Sequence, residues 1–280
     1  MERLDGKQVA QEIKEQIKEK VQNYLQKGMS APTLACVLVG DDPASKVYVS
    51  NKEKACANVG FNSIIKTMPA DSSESEVEEV IEQLNNDDNI SAILLQLPLP
   101  KGLDERKIIG KISPEKDADG LTDISLGRLF AKTGKVAPCT ATGIIDILDR
   151  YNINLEGKHA VVVGRSLLVG KSVAVLLEER NATVTVCHSK TQNLADYTRN
   201  ADILVVAIGK PKFVTADMVK DNAVVIDVGI NRLETGLVGD VDFDNVAEKC
   251  EYITPVPGGV GPMTIAELLR NTMILYEEKL

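Results

Sequence analysis

Residues 158–177, KHAVVVGRSLLVGKSVAVLL, constrain the fold more than any other stretch of this chain. An apolar, β-branched run ends at Gly164, and after Gly170 the apolar residues recur with a helical period. The pattern predicts a strand, a tight glycine turn and a helix. The first amides of a helix lack partners within it, so they can bind an anion such as a pyrophosphate. The spacing Gly-x-Ser-x-x-x-Gly differs from the usual Gly-x-Gly-x-x-Gly, so a βα turn without a ligand is the alternative interpretation.

Short apolar runs alternate with helical patterns over the rest of the chain. Such alternation is typical of parallel sheets covered by helices, in which ligands bind beyond the carboxyl ends of the strands. We therefore predict an α/β fold with two parallel-sheet domains. The predicted strands are residues 34–39, 62–67, 90–95, 160–163, 182–187, 203–207 and 223–228. The predicted helices include residues 6–27, 43–59, 74–84, 140–151 and 263–278.

The composition restricts the classes of function. The chain has 280 residues, of which 44% are hydrophobic, and a formal net charge of −9, which argues against a nucleic-acid or anionic-membrane partner. No apolar stretch approaches the roughly 18 residues that span a bilayer, and the first residues, MERLDGKQVAQ, contain no apolar signal core. Five scattered cysteines and two histidines show no metal-ligand spacing, so we expect no metal site. We expect a cytoplasmic protein with reduced thiols.

The strand that follows the glycine turn ends without an acidic residue. A site for NAD usually has an aspartate or glutamate about 20 residues beyond the first glycine, where it binds the ribose 2′-hydroxyl. Here the corresponding segment, residues 186–190, is Val-Cys-His-Ser-Lys. Arg165, Ser189 and Lys190 are suited instead to bind a 2′-phosphate, which favours NADP over NAD. In the alternative interpretation, Arg165 and Lys190 are solvated surface groups.

A second group of candidate residues lies in the first half of the chain. Tyr48 and Lys52 are four residues apart in a predicted helix and so share one face. Gln96 directly follows a predicted buried strand, and Asp119 lies in the loop SPEKDADG. An amine, an amide and a carboxylate are therefore expected to converge at one edge of the sheet. Taken singly, the helix face fits a solvated surface, Gln96 a strand-end cap, and Asp117 or Asp119 a turn residue.

Several motifs, taken together, resemble a known family. They are VGDDPASKVYVSNKEKAC, ILLQLPLP, KDADGLT, PCTATG, GRSLLVGKSVA, HSKT, AIGKPKF, DVGIN and TPVPGGVGPMT, and they span nearly the whole chain. The chain is similar to the bifunctional methylenetetrahydrofolate dehydrogenase/methenyltetrahydrofolate cyclohydrolase family. The resemblance implies oxidation of 5,10-methylenetetrahydrofolate by NADP⁺ and hydrolysis of the methenyl product to 10-formyltetrahydrofolate. It also implies a homodimer and a place in one-carbon metabolism and purine biosynthesis.

The resemblance further implies an arrangement of domains and roles for individual residues. Residues 1–138 would form a folate-binding catalytic domain, on which the helix 263–280 packs back. Residues 139–262 would form a Rossmann-like NADP-binding domain, with the folate in the cleft between the domains. The implied catalytic and folate-binding residues are Tyr48, Lys52, Gln96 and Asp119. The implied NADP-binding residues are Gly164, Arg165, Ser166, Ser189 and Ile230, and the loop of Pro257, Gly258 and Gly259 lies beside the folate.

The chemistry of the two reactions agrees with these residue types. Hydride loss from the methylene bridge leaves a cation, so the oxidation chiefly requires that nicotinamide and carbon are held face to face. Water attack on that cation requires removal of a proton and delivery of a proton to the departing ring nitrogen. A lysine serves both purposes only when it is partly neutral, which burial and the nearby cation favour. The alternatives are a non-catalytic NADP-binding sensor, another NADP-dependent dehydrogenase, and a family member with only one of the two activities.

Overall fold

The computed structural model describes residues 1–234 and 236–280, and the chain divides into two compact units. One unit contains Met1–Gln11 and Pro138–Glu267, and the other contains Glu12–Ala137 and Leu268–Leu280. In chain order the strands and helices are β1 (Glu2–Arg3), α1 (Gly6–Gln26), β2 (Thr33–Val39), α2 (Pro43–Val59), β3 (Asn62–Met68), α3 (Glu74–Asn85), β4 (Ala92–Leu95), α4 (Glu105–Ile109), α5 (Asp123–Phe130), α6 (Cys139–Arg150), β5 (His159–Val163), α7 (Ser172–Glu179), β6 (Thr183–Cys187), α8 (Leu194–Thr198), β7 (Ile203–Val206), β8 (Val224–Asp227), β9 (Asn231–Leu233), β10 (Gly236–Val238), α9 (Phe243–Ala247), β11 (Tyr252–Ile253) and α10 (Val260–Glu277). The boundaries between the units fall within α1 and α10, and at the start of α6.

The unit that contains Glu12–Ala137 has a three-stranded parallel sheet in the order β3-β2-β4. β2 lies in the centre of this sheet, and all seven of its residues are buried. A parallel strand that is covered on both faces is expected to be apolar throughout, which explains the unbroken apolar run of β2. α3 contributes Val77, Ile81 and Leu84 to the core that covers one of these faces.

The ends of α2 follow from local signals in the sequence. Asp42 caps the first turn by accepting a 2.7 Å hydrogen bond from the N–H of Ser45. Pro43 occupies the first helical position, where a backbone N–H has no partner within the helix. The helix ends at Gly60, whose φ of 87° lies in the left-handed region that glycine adopts readily. These two ends place Lys52 on a half-buried face of α2.

The other unit contains a six-stranded sheet in the order β1-β11-β8-β7-β5-β6, in which every pair of neighbours is parallel. The chain passes from β5 outwards to β6 and then returns to β7 on the other side of β5. Connections that leave β5 and β7 therefore run in opposite directions, which opens a crevice beyond the carboxyl ends of these two strands. That crevice is the expected ligand site of a doubly wound sheet.

The predicted fold class, an α/β protein with two parallel-sheet units, is confirmed. The sequence patterns do not predict β1, β11 and the antiparallel hairpin β9–β10. Strands of two or three residues are too short to show a period, so a pattern cannot reveal them. Among residues 1–234 and 236–280, no helix combines the length and apolar character needed to cross a membrane, and no group of three or more His, Cys, Asp or Glu side chains is placed to hold a metal ion.

Candidate active site

Lys52 and Gln96 are in direct contact. Lys52 lies in α2, and Gln96 is the residue directly after β4. Lys52 Nζ donates a hydrogen bond of 2.9 Å to Gln96 Oε1. Gln96 Nε2 donates in turn to the carbonyl oxygen of Leu97 at 2.6 Å, which keeps the amide oxygen directed at the lysine. The lysine thus has an uncharged acceptor, which orients its amine without the negative charge that would hold its proton.

The backbone fixes the position of Gln96. Its N–H donates to the carbonyl oxygen of Val37 at 2.9 Å, so the pairing of β2 with β4 continues one residue beyond β4. Gln96 is only 7% exposed, whereas Lys52 is half-buried. Tyr48 lies one helical turn before Lys52 and is 48% exposed. Much of the Tyr48 ring is therefore available to stack on a planar ligand.

Asp119 lies within electrostatic reach of the same region. Burial raises the pKa of the Cys36 thiol, on β2, to about 11. The positive charge of Lys52 lowers this pKa, and the negative charge of Asp119 raises it. Because both charges act on the same thiol of the central strand, Lys52 and Asp119 lie in one region of this unit. Gln96 lies there too, since it is hydrogen-bonded to Lys52. Cys36 itself is a neutral, unreactive thiol at neutral pH.

The loop that carries Asp119 is held in place by two buried charged residues. The ammonium of Lys116 donates to three backbone carbonyl oxygens of residues 84–87, at 2.7–3.0 Å. Asp117 Oδ2 accepts a 2.8 Å hydrogen bond from the N–H of Thr122. Lys116 is 6% exposed and Asp117 is 1% exposed. Asp117 therefore has the structural role of a turn residue, and the loop that presents Asp119 is a fixed part of the unit.

In the other unit, the turn after β5 leaves no room for side chains. A Cβ atom on Gly164, whose φ is 128°, would lie 2.3 Å from the carbonyl oxygen of Ala207. A Cβ atom on Gly170 would lie 2.3 Å from the carbonyl oxygen of Gly164. Both contacts are with backbone atoms that a side chain cannot displace without moving the turn. The two glycines that mark this stretch in the sequence are therefore required by the close approach of neighbouring backbone segments.

Ser166 caps the helical segment that follows this turn. Its Oγ accepts hydrogen bonds from the N–H groups of Val169 and Gly170, at 3.3 and 3.5 Å. The sequence pattern predicts a tight turn up to Gly170 and a helix after it, and the structure has a π-helical turn, Leu167–Lys171, before α7 begins at Ser172. The Ser166 hydroxyl thus satisfies amides at the start of the helical segment, beside the turn that the sequence predicts as a pyrophosphate site.

A cavity of about 420 Å³ opens beside the glycine turn. It brings together Gly164, Arg165 and Ser189, three of the predicted NADP-binding residues. Lys210 adds a second positive charge to its wall, and among the described residues that line it none is an aspartate or glutamate. A positively charged wall without carboxylates suits a nucleotide that carries a 2′-phosphate, so these residues fit NADP.

A smaller cavity, of about 120 Å³, lies in the same unit at the loop 255–262. It brings Ile230, a predicted NADP-binding residue, together with Pro257, Gly258 and Gly259. The sequence places these residues in separate motifs, DVGIN and TPVPGGVGPMT, and the structure makes them neighbours. The fold therefore places a residue predicted for the cofactor beside the loop predicted for the folate.

Sequence reasoning missed a glycine that supports this loop. A Cβ atom on Gly6, the first residue of α1, would lie 2.0 Å from the carbonyl oxygen of Gly259. The N–H of Lys7 donates to the carbonyl oxygen of Gly258 at 3.0 Å. The start of α1 thus packs directly on the loop. The sequence signals this only by a glycine near a helix start, where glycine is also common as a simple helix cap.

The fold and these residues define a class of protein: a doubly wound dinucleotide-binding α/β unit joined to a second parallel α/β unit that carries a hydrogen-bonded lysine. Comparison with models of known families identifies the family within this class. The tetrahydrofolate dehydrogenase/cyclohydrolase catalytic domain matches residues 4–119, and the NAD(P)-binding domain of the same family matches residues 138–280. The chain belongs to the tetrahydrofolate dehydrogenase/cyclohydrolase family, and the resemblance inferred from its motifs is confirmed.

Individual relatives agree with this assignment. The chain is 56% identical to the bifunctional protein FolD of Campylobacter hominis over 98% of this chain and 96% of the relative. It is similar to the crystal structure of the bifunctional FolD methylenetetrahydrofolate dehydrogenase/cyclohydrolase from Campylobacter jejuni, with a TM-score of 0.97, 47% identity and complete coverage of both chains. The FolD structure from Trypanosoma brucei, complexed with NADP cofactor and inhibitor, has a TM-score of 0.95 at 37% identity and covers 100% of this chain and 98% of that one.

Proposed function

We propose that this protein is a bifunctional enzyme of one-carbon metabolism. It oxidises 5,10-methylenetetrahydrofolate with NADP⁺ to 5,10-methenyltetrahydrofolate, and it hydrolyses this product to 10-formyltetrahydrofolate. The observation that carries the proposal is the hydrogen bond between Lys52 and Gln96, because it provides a proton-transfer group with an uncharged partner in a family of folate enzymes. The C. jejuni relative, which is named for both activities, supports the same pair of reactions.

The oxidation depends on the unit that contains the glycine turn. NADP⁺, when bound, supplies the hydride acceptor. The residues proposed to hold it are Gly164, Arg165, Ser166, Ser189 and Ile230. The guanidinium of Arg165 binds the 2′-phosphate through charge-assisted hydrogen bonds, and Ser189 adds a hydroxyl donor. The support for this assignment is the cavity that Gly164, Arg165 and Ser189 share, together with the NADP bound to the T. brucei relative.

Lys52 is the proposed proton-transfer group of the hydrolysis. Its neutral amine takes a proton from the water molecule whose oxygen bonds to the methenyl carbon. The protonated lysine then gives this proton to the ring nitrogen as the bond between that nitrogen and the carbon breaks. The new hydroxyl loses its proton to solvent as the carbonyl forms, which leaves a formyl group on the other nitrogen. Gln96 orients the amine throughout.

Tyr48 and Asp119 are proposed to hold the pterin of the folate. An ionised carboxylate accepts from the amino and ring N–H groups of a pterin, and a phenol ring offers a face for stacking. The half-exposed ring of Tyr48 and the fixed loop that carries Asp119 support these roles. The loop of Pro257, Gly258 and Gly259 is proposed to lie beside the same substrate.

The proposal includes the assembly, location and domain roles that the resemblance implies. Residues 1–138, with the helix 263–280, bind the folate, and residues 139–262 bind NADP. The protein forms a homodimer in the cytoplasm and serves purine biosynthesis. Light scattering on a size-exclusion column tests the dimer, because a mass of one chain at all concentrations would contradict it.

A two-step assay tests both activities in one sample. Methylenetetrahydrofolate and NADP⁺ are mixed with the wild-type protein, NADPH formation is followed first, and the decay of the methenyl chromophore is followed next. We expect both signals. A persistent methenyl chromophore would show a family member with the dehydrogenase activity alone. Tight NADP binding without any NADPH formation would show a non-catalytic sensor or a dehydrogenase of another metabolite. Either result would contradict the proposed pair of reactions.

A further inference from the structure

Two aspartates with no role in the proposed reactions are almost completely buried in the unit with the six-stranded sheet, and one of them, Asp227, lines the smaller cavity. Asp227 ends β8 and is 2% exposed, and Asp240 lies just before α9 and is 0% exposed. A buried carboxylate destabilises a fold unless hydrogen bonds replace the lost water. The hydrogen-bond donors around these two carboxylates therefore indicate their structural role.

Asp240 holds one wall of the larger cavity. Its Oδ2 accepts from the N–H groups of Ile208 and Gly209 at 2.7 and 2.9 Å. Its Oδ1 accepts from the N–H of Lys210 at 2.8 Å and from Asn231 Nδ2 at 2.9 Å. Ile208 and Lys210 line the cavity of about 420 Å³ that also contains Arg165. One carboxylate thus fixes three successive amides, two of which belong to residues that line the cavity.

Asp227 holds the neighbouring loop and Asp240 itself. Its Oδ1 accepts from the N–H groups of Gly229 and Asp240 at 3.0 and 2.9 Å, and its Oδ2 accepts from the N–H of Val241 at 2.9 Å. A Cβ atom on Gly239 would lie 1.8 Å from Asp227 Oδ2, so the backbone is fitted closely around this carboxylate. Gly229 lines the smaller cavity next to Ile230.

The two carboxylates therefore connect the walls of both cavities. From Gly229, a continuous path of hydrogen bonds passes through the carboxylate of Asp227, the N–H of Asp240 and its carboxylate, and reaches the amides of residues 208–210. The larger cavity includes the residues proposed to bind the 2′-phosphate, and the smaller one includes Ile230. A shift of either loop would change the distance between these parts of the cofactor site.

We infer that Asp240 is a positioning residue for NADP, which it never touches, and that Asp227 fixes Asp240 in this role. The inference rests on the proposed function, because it takes NADP as the ligand of these cavities. Asp240 is completely buried and acts only through the amides that it holds. Its carboxylate also fills the concave row of three N–H groups at residues 208–210, so these amides are not available to the phosphates of the cofactor.

The substitution Asp240→Asn separates positioning from packing. Asparagine has nearly the same shape, but one of its two terminal atoms is an NH₂ group. In Asp240→Asn, the NH₂ group faces either the N–H groups of Ile208 and Gly209 or the N–H of Lys210, so at least one amide of residues 208–210 loses its acceptor and meets a donor. In Asp227→Asn, the orientation that keeps an oxygen at Oδ1 puts the NH₂ group against the N–H of Val241 alone, and the amides of residues 208–210 keep the carboxylate of Asp240. We therefore expect a larger effect from Asp240→Asn than from Asp227→Asn.

The control is Asp202→Asn, in the same unit. Asp202 accepts from the N–H of His159 at 2.9 Å and from Lys220 Nζ at 2.6 Å, and it lines a different cavity, at the amino ends of the strands. Its substitution removes charged hydrogen bonds from the same sheet without affecting the amides of residues 208–210. It therefore measures what general loosening of this unit does to cofactor binding.

The test measures NADPH affinity from the change in NADPH fluorescence on binding, and hydrogen exchange at residues 208–210. For Asp240→Asn we expect the Kd of NADPH to rise about tenfold or more and hydrogen exchange at these amides to accelerate. For Asp227→Asn we expect the Kd to rise about threefold. For Asp202→Asn we expect no change in Kd. An unchanged Kd in folded Asp240→Asn, or an equal rise in Asp202→Asn, would overturn the inference. If Asp240→Asn does not fold, Asp227→Asn takes its place: an unchanged Kd in Asp227→Asn, or an equal rise in Asp202→Asn, would overturn the inference. A wild-type protein that binds no NADPH would instead contradict the proposed function.

Discussion

Lys52 and Gln96 lie on different elements of one unit, a helix and the end of a buried strand, and their side chains form a hydrogen bond of 2.9 Å. The acceptor is an amide oxygen, and the amide nitrogen is occupied by the carbonyl oxygen of Leu97 at 2.6 Å. A neutral acceptor orients the lysine but stabilises its charged form less than a carboxylate would. The charge of residue 96 is therefore a direct control on the proposed hydrolysis.

We expect Gln96→Glu to slow the hydrolysis of methenyltetrahydrofolate. The new carboxylate adds an ion pair to the hydrogen bond that already holds the ammonium of Lys52, so the proton of the lysine becomes harder to remove. The rate should fall by about tenfold. Gln83→Glu, the same change on the exposed face of α3, is the control and should leave the rate unchanged. A Gln96→Glu variant with the wild-type rate would contradict the proposed role of the neutral amide.

Arg165→Ala should weaken the binding of NADP far more than the binding of NAD. Arg165 lines the cavity beside the glycine turn, and the loss of one charge-assisted phosphate contact costs about 1.5–3 kcal/mol, or about ten- to a hundredfold in Kd. Titration with each cofactor measures the difference. Arg199→Ala removes an exposed arginine of the same unit that is paired with Asp217, and it should change neither affinity. Equal losses for both cofactors in Arg165→Ala would exclude the 2′-phosphate assignment.

Local signals explain why much of the fold and of the site could be predicted. Asp42, Pro43 and Gly60 mark the ends of α2 in the sequence itself, so the shared face of Tyr48 and Lys52 follows from helical periodicity. The central strands are buried on both faces and therefore appear as unbroken apolar runs. Because Gln96 directly follows such a run, its place at a strand end is visible without a structure.

The features that could not be predicted depend on contacts between residues distant in sequence. Gly6 is restricted by the carbonyl oxygen of Gly259, and no pattern near Gly6 contains this information. Asp240 accepts hydrogen bonds from the N–H groups of residues 208–210, which belong to a different connection of the sheet. A sequence shows which groups can form hydrogen bonds, but the path of the loops decides which of them meet.

Gly6→Ala should destabilise the protein, because the new methyl group would overlap the backbone oxygen of Gly259, 2.0 Å away. Overpacking of this kind costs about 1–3 kcal/mol. The control is Gly127→Ala in α5, where no atom beyond the adjacent backbone of the same helix lies within 4 Å of the new Cβ. This change should stabilise the protein by about 0.5–1 kcal/mol through helix propensity. Thermal melting measures both. A Gly6→Ala protein as stable as the wild type would contradict this prediction, because the loop 255–262 would then have moved away from the methyl group without loss of stability.

Asp227 should make the stability of its unit depend on pH. Burial raises its pKa to about 6 from 3.8, although three backbone N–H donors oppose the rise. Between about pH 4 and 6 the native state therefore binds more protons than the unfolded state, so this residue's contribution to stability falls as the pH rises. The rise in this pKa from 3.8 to about 6 corresponds to about 3 kcal/mol of stability. Urea denaturation should show the wild type losing about this much relative to Asp227→Asn between about pH 4 and 7. A constant difference over this range would contradict the raised pKa.

The hydrolysis of methenyltetrahydrofolate by Lys52→Met tests the central claim most directly. The substrate is supplied preformed, so that the result does not depend on the oxidation. Thermal melting of the same sample confirms an intact fold, and NADPH binding confirms an intact cofactor site. Lys54→Met, an exposed lysine of the same helix, is the control. We predict that Lys52→Met binds NADPH normally and hydrolyses no faster than buffer, while Lys54→Met retains the wild-type rate. Hydrolysis by Lys52→Met at the wild-type rate would contradict the proposed role of Lys52.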